Sequence, residues 1–161
     1  MGGMMGGGQD YNKTPEEIDK INVKNNKSAE EQAKKINDEV GRTVLYLIPS
    51  AQAHNALRKM IYNKEMPGMT DQGEVFRDFI GHPTVPVVAL NAYLHFAVMY
   101  GVSPVGLPQP DIFINPPPEI SAGYKEEWKN PELNKKLQEL AWDIVSNYPP
   151  SGVKAPEKES K

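Results

Sequence analysis

The chemistry available to this 161-residue chain is narrow, because it holds three histidines, His54, His82 and His95, and no cysteine. Without a thiol there is no disulfide framework, no thiolate metal site and no cysteine nucleophile. His82 stands out. It follows Asp78 by four residues in Arg77-Asp78-Phe79-Ile80-Gly81-His82-Pro83. A carboxylate that accepts the ring N–H of a histidine fixes its tautomer and leaves the other nitrogen free as a general base. The same spacing also suits a plainer role, in which Asp78 caps the turn that follows it. His54 has no acid near it in sequence and reads as a surface or capping residue of a helix. His95 lies in an apolar run and reads as a core imidazole bonded to a backbone carbonyl.

Asp78, His82 and His95 could together form a two-histidine, one-carboxylate metal set. No His-Glu-x-x-His pattern supports it and no second carboxylate stands at ligand spacing, so no metal and no cofactor are assigned. Gly6-Gly7-Gly8 follows no strand and is therefore not a phosphate loop. The pairs Glu30-Glu31, Glu126-Glu127 and Glu157/Glu159 read as solvated faces. Seven serines are present, at 28, 50, 103, 121, 146, 151 and 160. Ser28 reads as a helix cap and Ser50 as the start of a helix, not as nucleophiles.

These residues need a scaffold, and the length suits one domain. With 18 Lys plus Arg against 21 Asp plus Glu and a net charge of −3, the chain lacks the basic face that a nucleic-acid partner requires. Glycine and proline make up about 17% of it, against a usual ~12%. Five glycines in the first eight residues make residues 1–13 a flexible Gly/Met-rich start without the charged and apolar regions of a signal peptide. Residues 154–161 read as a disordered charged tail, which leaves 14–153 as the foldable part.

Thr14-Pro15-Glu16-Glu17 signals a helix start, and Ser28-Ala29-Glu30-Glu31 a second one after a break at Asn25-Asn26. Gly41 closes that second helix. Val44-Leu45-Tyr46-Leu47-Ile48 then reads as a buried strand of an α/β unit. Ala53, Leu57 and Ile61 mark the next helix, and Asn63–Gly73 a loop. From Thr84 the chain is apolar almost to Val102, close to the lower limit for a membrane span. Pro86, Asn91 and His95 inside that run favour a buried helix of a soluble domain. Leu133, Leu137, Leu140, Ala141, Ile144 and Val145 form one stripe of a last helix. One clear strand, with Ile112-Phe113-Ile114 a weak second, cannot stand alone in water. Either Val44–Ile48 pairs in a homodimer, or strands that belong beside it are not in this chain.

Phe76-Arg77-Asp78-Phe79-Ile80-Gly81-His82-Pro83, a long apolar helix and then Ser103-Pro104-Val105-Gly106-Leu107-Pro108 resemble the closing block of SGNH (GDSL-type) hydrolases. The stretch Gly41–Ala53 and the helix Leu140–Val145 with Tyr148-Pro149 after it are similar to flanking parts of a bacterial subgroup of that family. The resemblance covers Gly41–Val153. It implies the C-terminal part of a flavodoxin-like three-layer α/β fold acting on small-molecule or carbohydrate esters, with His82 as general base and Asp78 as its orienting carboxylate. The usual family spacing is Asp-x-x-His, which would place the acid at Phe79, so the loop here is one residue longer.

The family's Gly-Asp-Ser nucleophile block is not in this sequence. The expectation is therefore the C-terminal segment of a serine ester hydrolase, read from a truncated frame, with little activity alone. The alternative is a non-enzymatic helical interaction module, in which Asp78 is only a loop cap. The similar subgroup tends to be exported, but nothing in this chain assigns a compartment.

Overall fold

The computed structural model describes residues 11–21 and 23–154, the side chains of residues 23–25 excepted. Among these residues there are five α-helices: α1 Pro15–Asp19, α2 Val23–Val40, α3 Ser50–Tyr62, α4 Val85–Tyr100 and α5 Pro131–Ser146. Short 3₁₀ turns fill the connections. Residues 1–10 and 155–161, most of the Gly/Met-rich start and of the charged tail, lie outside the described residues.

The core forms where the apolar stripes of α3, α4 and α5 meet. Ala53, Leu57 and Ile61 face inward from α3, and Leu133, Leu137, Ala141 and Val145 from α5. They close on Val87, Leu90, Leu94 and Ala97 of α4, with Phe113 and Trp128 filling the gaps from the Pro-rich segment and the turn before α5. Each fully buried Val, Leu, Ile or Phe side chain among them contributes roughly 1.5–3 kcal/mol through removal of apolar surface from water. The Tyr93 hydroxyl donates to Asn134 Oδ1 at 2.5 Å and ties α4 to α5 inside this core.

The helix ends follow local chemistry. Thr14 and Glu17 close a reciprocal capping box on α1. Asn130 caps α5 by accepting from the Glu132 N–H at 2.9 Å. Gly101, at φ 66°, ends α4 with its N–H on the Ala97 carbonyl. Helix α2 is stabilised along its exposed side by Lys27–Glu31, Lys34–Asp38 and Lys35–Glu39, each one turn apart. Its inner side is pinned where the Tyr148 hydroxyl donates to Glu30 Oε1 at 2.9 Å. Burial and that carboxylate push the Tyr148 phenol up to about 12.

The α/β expectation is overturned. Among the described residues there is no strand and no sheet, so neither the three-layer flavodoxin-like fold nor its buried strand is present. The sole β-type pairing there is an isolated antiparallel bridge between Phe76 and Pro83. Val44–Ile48 is irregular, and Val44, Leu45 and Tyr46 are exposed. A strand needs a neighbour to take its N–H groups, and here other partners supply that role. Asn37 Oδ1 accepts from the Val44 and Leu45 N–H groups, and the Pro150 carbonyl from Leu47 N–H. The weak second strand is likewise a 3₁₀ turn, Asp111–Phe113, that plants Phe113 in the core. Ser28 is not a cap either: α2 runs through it, and its Oγ accepts from Gln32 Nε2.

Candidate functional site

The loop between α3 and α4 carries Asp78 and His82. It is built from its base upward. Asp71 and Glu74 form a capping box around the 3₁₀ turn Gln72–Val75. Glu74 Oε1 accepts from the Thr70 and Asp71 N–H groups and from Lys125 Nζ, all at 3.1 Å. Gln72 Oε1 accepts from Arg58 Nε of α3, which anchors the turn to the core. At the far end Thr84 precedes α4. Its side chain does not cap the helix; Oγ1 donates to the Glu74 carbonyl at 2.7 Å and pulls the loop's two ends together.

Above this base the chain reverses as a hairpin. Arg77 N–H donates to the His82 carbonyl at 2.9 Å, and Gly81 N–H to the Asp78 carbonyl at 3.3 Å. Gly81 sits at φ 91°, a region that L side chains avoid. This reversal brings Asp78 and His82 together, with His82 Nδ1 2.5 Å from Asp78 Oδ2. Because an ionised carboxylate can only accept, Nδ1 carries the proton and Nε2 keeps its lone pair. The other oxygen, Oδ1, accepts from the Ile80 and His82 N–H groups, each at 3.1 Å. Turn capping and imidazole binding are therefore not alternatives here. One carboxylate does both, one oxygen for each.

Partial desolvation raises the Asp78 carboxyl, but the hydrogen bonds from His82 and Ile80 outweigh it and hold the group below its ordinary value. The acid is thus ionised at neutral pH and can stabilise an imidazolium. The His82 side chain is half exposed (51%), so its ring is open to a reactant. Phe79 and Ile80 project at the tip, 81% and 65% exposed. No described serine is hydrogen-bonded to His82.

The other two histidines stand apart from this pair. His54 of α3 is half-buried against α4, where Asn91 Nδ2 donates to its Nε2 at 3.3 Å. Burial pushes its imidazole below the ordinary value, and the Asn91 bond offsets this only in part. It is neither a cap nor freely exposed. His95 bonds the Asn91 carbonyl through Nδ1 at 2.7 Å, as expected, but it is exposed and not part of the core. Among the described residues no group of three or more His, Asp or Glu is placed to hold a metal ion. Nor is any helix there long and apolar enough to cross a membrane. The anchoring role of Glu74 was missed in the sequence, although Asp71-x-x-Glu74 is a capping-box pattern. Comparison with known proteins brings no match: no family model, no curated protein and no solved structure aligns with the chain.

Proposed function

We propose that Asp78 and His82 are the acid–base half of a serine ester hydrolase whose nucleophilic serine lies on a segment outside these 161 residues. The observation that carries the reading is the 2.5 Å pairing of His82 Nδ1 with Asp78 Oδ2 on an exposed, backbone-locked turn. In the reaction His82 Nε2 takes the hydroxyl proton as the serine oxygen bonds to the ester carbonyl carbon. It returns that proton to the leaving alcohol oxygen as the acyl–oxygen bond breaks. Water then attacks the acyl-enzyme by the same proton path. Asp78 accepts from Nδ1–H throughout and offsets the positive charge that the ring acquires. The resemblance of Phe76–Pro83 and Ser103–Pro108 to the SGNH closing block names the reaction class. The three-layer α/β fold forms no part of the proposal.

The chain alone should have little esterase activity. The test joins it to the segment encoded in frame ahead of Met1 and assays p-nitrophenyl ester hydrolysis and fluorophosphonate labelling. The reading predicts a labelled serine and a kcat loss of about 10³-fold or more in His82→Ala. No labelled serine, or a His82→Ala rate equal to wild type, would overturn it.

A further inference from the structure

The segment that leads into α1 lies against the loop that carries Asp78 and His82. Residues 11–14 form an irregular strap beside the 3₁₀ turn Gln72–Val75. Two buried polar side chains fasten it there. Arg58 Nη2 of α3 donates to the Tyr11 carbonyl at 2.9 Å, and Gln72 Nε2 donates to the Lys13 carbonyl at 2.7 Å. Arg58 and Gln72 are joined to each other at 3.1 Å and are 8% and 2% exposed. A charge buried this deeply needs its acceptors, so releasing the strap is costly. On its other side the strap continues into α1, which is anchored by the fully buried Ile18 and by the Lys59–Asp19 ion pair to α3. So held, the Tyr11 ring packs on Phe76, with centroids 4.7 Å apart and the planes inclined at 34°. Phe76 opens the hairpin. It bridges Pro83 across the reversal, and its ring lies 3.8–3.9 Å from where a Cβ on Gly81 would stand.

We propose that Tyr11 is a positioning residue for the acid–base pair: its ring holds Phe76, and Phe76 holds the Gly81 turn that keeps Asp78 against His82. The inference rests on the hydrolase reading for the use made of the pair. The coupling itself is a property of this chain. Tyr11 acts through Phe76 and takes no part in the proton path. A hairpin closed by one bridge is marginal by itself, so a single aromatic contact at its base is a sizeable share of what keeps it shut. The strap thereby ties the geometry of the pair to a stretch of chain more than sixty residues earlier in the sequence.

Native-state hydrogen exchange on the full chain tests it. Tyr11→Ala should speed exchange of the Arg77 amide by about 2–13-fold, the loss of one aromatic pair. Tyr11→Phe keeps the ring and should exchange as wild type does. Leu137 in the α4–α5 core should keep its rate in both, which separates positioning from a general loss of stability. In a Phe76→Leu background the same Tyr11→Ala change should have a much smaller effect, because the contact it removes is already gone. The His82 ring carries the signature of the pair: wild type should show Nδ1–H, and that proton should exchange with water faster in Tyr11→Ala. Unchanged Arg77 and ring-proton exchange in Tyr11→Ala, an equal rise at Leu137, or an effect that survives Phe76→Leu undiminished would overturn the positioning role and leave the hydrolase reading standing. A wild-type ring protonated mainly at Nε2 would remove the pair, and both readings with it.

Discussion

Gly81→Ala isolates the backbone device that joins the two halves of the dyad. At φ 91° an added Cβ meets no obstacle, its nearest neighbours being Phe76 ring carbons at 3.8 and 3.9 Å. The cost is therefore conformational and not steric, roughly 1–2 kcal/mol for an L side chain at positive φ. The closed hairpin should lose a factor of about 5–30 in population relative to its opened forms. The Arg77 amide reports this directly, because its N–H donates to the His82 carbonyl only while the hairpin is closed. Native-state hydrogen exchange should speed up at Arg77 by that factor, while amides at the α4–α5 core, such as Leu137, keep their rates. Gly81→Asn, which tolerates positive φ better, should recover most of the protection. If Arg77 exchanges in Gly81→Ala as it does in wild type, Gly81 is not what holds Asp78 against His82.

Other expectations concern the scaffold. His54 is neutral in the fold and its value is lowered by burial. Stability should therefore be flat above the ordinary imidazole range, about 6.5, and fall as pH drops below it; urea midpoints against pH would show this, and His54→Gln would flatten that limb. Asp78, held below its ordinary value, adds stability that is present above the usual carboxylate range and lost as pH falls through its own folded value, so Asp78→Asn should blunt the most acidic limb of the same curve. Tyr93→Phe strands the buried Asn134 Oδ1, a loss of about 1–3 kcal/mol and a Tm drop of about 2–12 °C by calorimetry. Gly152→Ala places a Cβ on the Tyr46 ring at φ 75°. It should lose about 1–2 kcal/mol from backbone strain alone, read from urea midpoints.

The helices that build the core were legible because their apolar spacing is strong. Ala53, Leu57 and Ile61, and Leu133, Leu137, Ala141 and Val145, are buried as their period requires. His82 and Asp78 could be singled out from type and spacing, but not their division of labour, since the turn at Gly81 decides which oxygen meets which donor. Two errors share one cause: local pattern does not say which neighbours exist. Val44–Ile48 looks like a buried strand, yet the chain offers it Asn37 and Pro150 in place of other strands. His95 sits in an apolar run, yet α4 packs on one side only, and Ala92, His95 and Met99 share the stripe left to solvent. Ser28 follows a capping pattern, but α2 begins earlier, at Val23, and passes through it.

The measurement that reaches the centre of this account is a long-range ¹H–¹⁵N correlation on the His82 ring at neutral pH, in wild type and Asp78→Asn. An acid–base pair requires wild-type His82 to be protonated at Nδ1 with Nε2 free, and Asp78→Asn to lose that bias. A wild-type ring protonated mainly at Nε2, or a tautomer ratio the same in both proteins, would mean that Asp78 only caps its turn and that the hydrolytic role of His82 is wrong.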